Sequence, residues 1–154
     1  MSSTDFFKPD TSPPTEFYFS VNFSGMTGLI DSSFQEVSGL KATFGVEERK
    51  EGGENRFVHS FPTPPKLENL VLKRCLMPNS KLDKWCSDTI NNFKFSPRDI
   101  HISLLGAGNQ KILASWNVVH AFPISWELST LNSKTNELAI ETLTLNYRHF
   151  KREI

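Results

Sequence analysis

The sequence predicts a mainly β protein, an antiparallel barrel or sandwich with one short α-helix on its flank. Three observations carry this. Apolar and polar side chains alternate with period two through most of the chain. Turn-forming Gly, Pro, Asn and Ser cluster between the alternating runs. Only the stretch "PNSKLDKWCSDTINNF" carries apolar residues at helical spacing. No repeat and no βαβ rhythm interrupts the pattern.

In order, residues 1–15 are polar and proline-bearing, and predict a flexible or extended arm. Residues 16–154 form a single domain, which suits a chain of 154 residues. "EFYFSVNFS" puts Phe17, Phe19, Val21 and Phe23 on one face of a strand and Tyr18, Ser20 and Asn22 on the other. "SFQEVSGLKATFGVEE" resumes the alternation with Leu40, Ala42, Phe44 and Val46; Gly39 marks a bulge or a close backbone approach. "RFVHSF" is a short strand that "FPTPPK" should break, because proline cannot donate to a ladder. "NLVLKRCLM" is the next strand. In the helix, Ser80 is the N-cap with Asp83 as a capping-box variant, and Leu82, Trp85, Cys86 and Ile90 form the apolar face. "RDIHISLL" and "KILASWNVVHAF" read as a hairpin across "GAGNQ". Pro123 interrupts before "ISWELS", and "ELAIETLTLNYRHF" is a long closing strand.

Composition excludes several classes. Lys+Arg and Asp+Glu are both 17, so the net charge is zero, against the basic bias of nucleic-acid proteins. No apolar run approaches the roughly 18 residues of a membrane span. The N-terminus lacks the basic-then-apolar order of a secretory signal. The load of 13 Phe and 3 Trp suits strands, a large core and interfaces. Cys75 and Cys86 are too few for a disulfide scaffold and lack zinc spacing; they read as buried free thiols of a reducing compartment.

The search for chemistry finds no site. "EERKEGGENRF" sets adjacent glycines among charges, but lacks P-loop spacing, precedes a strand, and is too glutamate-rich for phosphate. Its oxygens do not follow the order of a calcium loop. His59, His101, His120 and His149 form no i, i+4 or H-x-H pair. No nucleophile elbow is present. No catalytic residue, cofactor or metal is expected, and the chain reads as a non-enzyme.

The order of the segments "FYFSVNFSG", "SFQEVSGL", "EGGENRFVHSFP", "NLVLKRCLMPNSKLDKWC", "RDIHISLLG", "SWNVVHAFPISWEL" and "NELAIETLTLNY" resembles the phage T4-like tail tube protein family, inner-tube proteins of contractile injection systems included. The likeness covers roughly residues 16–150 and rests on order rather than on any single motif. It implies a fold similar to the haemolysin-coregulated protein of type VI secretion. It also implies homo-hexameric rings, stacked on copies of themselves or a paralogue into a rigid hollow tube. The partners implied are a contractile sheath, a baseplate or spike hub, a terminator cap and translocated cargo in the lumen. Such a tube is assembled in the bacterial cytoplasm, within a particle that is extracellular or cell-bound. No nucleic-acid motif or membrane anchor is implied.

Within that resemblance the charged loop becomes an inter-ring contact: Glu47, Glu48, Arg49, Lys50, Glu51, Gly52, Gly53, Glu54, Asn55 and Arg56, with the glycines allowing the turn. Strands that are apolar on both faces want a partner beyond their own core. They suggest an intra-ring strand-pairing interface of Leu113, Val119, Ile140, Thr142 and Thr144. Ser103, Ser115 and Asn117, on a polar strand face, are the candidates for the lumen. Two departures stand out. Cys75 occupies a position where the family often has glycine. The C-terminal "NYRHFKREI" replaces the usual "AHEG" ending with a longer basic one, which suits a baseplate-proximal initiator or adaptor ring as well as a bulk subunit. A soluble β-barrel binding module, with Tyr18 and Trp126 as exposed aromatics, is the reading from another class.

Overall fold

The computed structural model describes residues 17–26, 34–50, 52–53, 56–106, 111–135 and 137–154. The predicted N-terminal arm lies outside the described residues. The elements run β1 (Phe17–Phe23), β2 (Glu36–Ser38), β3 (Ala42–Arg49), β4 (His59–Leu67), β5 (Leu70–Cys75), α1 (Lys81–Asn92), β6 (Arg98–Gly106), β7 (Ile112–Leu128), β8 (Ile140–Asn146) and β9 (His149–Arg152). All strand pairs are antiparallel. Seven strands form one sheet along the path β1-β6-β7-β8-β5-β2, with β9 also on β7, and β3 and β4 form a separate two-stranded ribbon.

The seven-stranded sheet rolls around one core. Val21 and Phe23 of β1, Leu70 and Leu72 of β5, Ile100 and Ile102 of β6, Val118 and Ala121 of β7, and Leu143 and Leu145 of β8 all enter it. β1, β5, β6 and β8 deliver every second residue, as a pleated ribbon must, while β7 skips to Ala121 across an irregularity at His120. Fully burying one such side chain contributes about 1.5–3 kcal/mol. Helix α1 adds Leu82, Trp85 and Cys86 to the same core, with the Trp85 ring edge-on to Phe23 at 5.7 Å.

The bend that rolls the sheet lies in β7. Its first half pairs with β6 and β9, and its second half with β8. At the changeover His120 has φ 58, a left-handed conformation, and its N–H donates to Asp99 Oδ1 at 3.0 Å. Beyond it the strand runs on through Pro123, where the register shifts. Pro123 therefore does not interrupt the strand: the bulge takes up the missing donor.

The helix is built as its sequence predicts at the start and differs on its face. Ser80 Oγ accepts from Asp83 N–H at 3.0 Å. Thr89, rather than Ile90, completes the buried stripe, its hydroxyl donating to Trp85 O at 3.0 Å, while Ile90 is exposed. The helix ends on Phe93 in the left-handed conformation, φ 51.

Other expectations are corrected. The predicted strand 33–48 is two strands. At Gly39 the backbone turns with φ +94, so close to its neighbour that a Cβ would stand 1.9 Å from Asn69 O. This is the close approach the glycine predicts, and it sends the chain out of the body. The prolines do not break β4: it continues from His59 to Leu67, because a strand in a two-stranded ribbon has a free edge and the register shifts opposite Gly45. The closing strand starts at Ile140 and pauses at Tyr147 and Arg148 before β9. Cys86 is buried but Cys75 only half-buried, its Sγ accepting from Gln35 Nε2 at 3.0 Å.

Candidate assembly surfaces

The β3–β4 ribbon leaves the body at a clamp. Glu68 N–H donates to Lys41 O at 3.1 Å, and Lys41 Nζ donates to Glu68 Oε1 at 2.8 Å. That hydrogen bond raises the Lys41 pKa. Beyond the clamp β3 and β4 contact each other far more than anything else, and every residue of β3 is exposed. At Gly45 a Cβ would fall 2.5 Å from Thr63 Oγ1, so glycine lets Thr63 fold across the ribbon at the bulge. Phe44 is 62% exposed, Val46 63% and Phe61 52%. The alternation in the sequence sets Ala42, Phe44 and Val46 on one face of the strand. The structure leaves them uncovered: among the described residues β3 and β4 pack on each other and on little else.

Charges gather at the tip. Glu47, Glu48, Arg49, Lys50, Gly52, Gly53 and Arg56 are exposed there, with Gly53 at φ +120, while Glu51, Glu54 and Asn55 lie outside the described residues. Phe57 and Val58, also exposed, join the apolar ribbon to this tip. The projection is thus longer than the predicted loop and has two chemistries, an apolar shaft and a charged end.

The sheet edges form a second surface. β1 pairs only with β6 and β2 only with β5, so among the described residues each has an unpaired outer edge. Between those edges runs an open groove of about 320 Å³, lined by Phe19, Val37, Leu40, Leu104 and Trp116 among others. The residues predicted for strand pairing stand elsewhere. Ile140, Thr142 and Thr144 are half-buried on β8, whose two edges are already bonded to β5 and β7. Leu113 and Val119 lie on β7, between β6 and the C-terminal segment. These five offer side chains on outer faces, and the backbones of Ile140, Thr142 and Thr144 are paired within the chain.

The polar face predicted for the lumen is a set of cross-strand rows. Ser20, Ser103 and Ser115 align in one row, and Asn22, His101, Asn117 and Lys151 in the next. Ser103 and Ser115 are buried, and Asn117 is half-buried. His101 Nε2 stands 3.5 Å from Glu153 Oε2 on the same face.

A third surface is aromatic. Phe93, 82% exposed, meets Phe95 edge-on at 4.9 Å, and Phe95 meets Phe122 at 5.6 Å. Ile90, Ile124 and Trp126 are also exposed. Phe93 holds a left-handed cap that usually goes to glycine.

Under these surfaces lies a polar network that sequence reasoning missed. Arg74 and Glu141 are cross-strand partners on β5 and β8, both pointing inward. Arg74 Nε donates to Glu141 Oε1, Arg74 Nη2 donates to Ser80 Oγ at 2.7 Å, and Trp126 Nε1 donates to Glu141 Oε2 at 3.2 Å. The network pins the helix cap to the sheet. Its signal was parity: Arg74 follows Leu70 and Leu72, and Glu141 precedes Leu143 and Leu145. Nearby, burial pushes the Cys86 thiol up to about 12, so it stays protonated. Among the described residues no group of His, Cys, Asp and Glu could hold a metal ion, and no helix is long and apolar enough to cross a membrane.

Open sheet edges and a self-paired ribbon with an apolar shaft offer surface for further chains to cover. The chain belongs to the T4-like virus tail tube protein family, whose model, described as T4-like virus tail tube protein gp19, matches residues 15–151. Solved structures agree. A chain from the anti-feeding prophage baseplate, 6-fold symmetrised, is 25% identical with a TM-score of 0.78, covering 92% of this chain and 96% of that one. A chain from the sheath-tube complex of PVC, an extracellular contractile injection system, in the extended state is 24% identical with a TM-score of 0.77, covering 93% of each. An Hcp protein shares the fold at 13% identity, with a TM-score of 0.58 over 89% of this chain and 91% of that one. The expected tail-tube, Hcp-like fold is therefore the observed one. A comparison with curated proteins found no match.

Proposed function

We propose that this chain is a ring-forming subunit of the inner tube of a contractile injection apparatus, and that the β3–β4 ribbon couples one ring to the next. The observation that carries this is the ribbon itself. An apolar shaft with Phe44, Val46 and Phe61 open to water, on strands that touch little but each other, is a surface made for another copy. The charged tip from Glu47 to Arg56 sets register. A single exposed ion pair contributes only about 0.2–1 kcal/mol, but a ring repeats it in every subunit. Six subunits per ring fit the 6-fold symmetry of the similar baseplate structure.

Within a ring, the unpaired edges of β1 and β2 and the outer-face side chains of Leu113, Val119, Ile140, Thr142 and Thr144 form the lateral contact. The rows through Ser103, Ser115 and Asn117 face the lumen, where cargo passes. Sheath, baseplate hub and terminator cap are the partners of such a tube, in a particle assembled in the bacterial cytoplasm and acting outside the cell or at its surface. Mechanical transmission requires no bond chemistry from the chain.

The test is deletion of Gly52–Asn55. Negative-stain microscopy should show rings or stacks for the wild type and a folded, unstacked subunit for the deletion. Normal tubes from the deletion would refute the role of the ribbon.

A further inference from the structure

We propose that the pocket between α1 and the start of β6 is an anion site that takes the carboxylates of an acidic segment on a partner protein. The pocket, of about 280 Å³, is lined by Lys81, Lys84, Lys94 and Arg98, with Asp88 the carboxylate among them, and by Gly25. The chain as a whole is neutral, so this is a local excess of positive charge. A concave wall of low dielectric focuses such a field on whatever enters.

The site is built. Arg98 Nη1 donates to Ser24 O at 2.7 Å, which fixes the guanidinium at one wall. Arg98 Nε is closed to solvent and has no hydrogen-bond partner among the described residues. A buried cationic donor without an acceptor is costly, and negative charge placed against the guanidinium offsets that cost. Gly25 makes the room: at φ +74, a Cβ there would fall 2.7 Å from Arg98 Nη1. Lys84, on the helix, and Lys94, just after it, are exposed, and neither has an ion-pair partner among the described residues. Among the described lining residues the opposing charge is Asp88, one carboxylate against four cations. A rigid guanidinium with two mobile ammonium groups beside it suits side-chain carboxylates presented in series. The inference stands apart from ring assembly and is read on the soluble chain.

Binding of a fluorescein-labelled oligoglutamate peptide to the full chain, followed by anisotropy, tests it, with inorganic phosphate as competitor and circular dichroism as the check on folding. The wild type should bind saturably, and more weakly as salt rises. Lys84→Glu with Lys94→Glu should lower affinity at least about tenfold, as reversal of charges at a contact does. Arg98→Gln should weaken binding too. Lys111→Glu with Lys134→Glu, exposed and outside the pocket, should leave it unchanged. Absence of saturable binding, equal loss in the Lys111 and Lys134 variant, or displacement by phosphate at the peptide's own concentration would overturn the proposal.

Discussion

The rolled sheet and the β3–β4 ribbon are written in the same pattern and have opposite fates. In β5 the alternation buries Leu70, Leu72 and Arg74 and leaves Val71, Lys73 and Cys75 outside. In β3 an equally regular alternation of Phe44 and Val46 with polar neighbours buries nothing. Period two specifies a strand and its two faces; it does not say which molecule covers the apolar one. In the body the cover is the same chain. On the ribbon, in our reading, it is the next copy.

On that contrast, substitutions in the body should cost stability and substitutions on the ribbon should cost assembly. The largest stability effect is expected at Arg74. Arg74→Ala leaves Glu141 as a buried charge without its ion-pair partner, and should destabilise by about 3–5 kcal/mol in urea denaturation. Gly39→Ala comes next. A Cβ 1.9 Å from Asn69 O forces the backbone to move where the ribbon leaves the body, at a cost of about 1–3 kcal/mol in the same assay. Ser80→Ala removes the helix cap and an acceptor of Arg74, and should cost about 0.5–2 kcal/mol.

Cys86 sharpens the comparison through pH. Its thiol is raised from 9.0 to about 12 in the folded protein, chiefly by burial. The stability it contributes is therefore full below pH 9.0 and is lost as pH rises from there toward about 12. At pH 8 Cys86 should resist a thiol reagent in the native protein and react on unfolding; rapid native labelling of Cys86 would show that the helix does not seal the core. Smallest for stability is the ribbon: Phe44→Ser with Phe61→Ser should change the unfolding free energy by no more than about 0.5 kcal/mol.

Much of the fold was legible. Alternation located the strands, and the Ser80 cap with its spaced apolar residues located α1. What alternation could not show was path. The chain leaves the body at Gly39 and returns at Asn69, so a run that reads as one strand serves two sheets. Proline is a sound breaker only inside a ladder; Pro62, Pro64 and Pro65 sit in a ribbon with a free edge, and Pro123 at a bulge. The family likeness placed a projection at Glu47–Arg56 and caught its charged end. It missed the apolar shaft, because Phe44 and Phe61 look like core in one dimension. The residues expected to pair across the ring show the converse limit, since parity names outward side chains and not free backbone edges. Ile140, Thr142 and Thr144 are apolar-leaning on an outward face, yet their backbone groups are already used by β5 and β7. The buried Arg74–Glu141 pair is written in parity, but charged residues are so seldom fully buried that parity alone does not place them inward.

The most direct measurement pairs unfolding with microscopy on the Phe44→Ser, Phe61→Ser variant. Urea denaturation of the soluble subunit should match the wild type, and negative-stain images should show stacked rings for the wild type and none for the variant. Stacks that persist with both phenylalanines removed, or a variant that unfolds outright, would contradict a ribbon whose apolar shaft is covered only by the next copy.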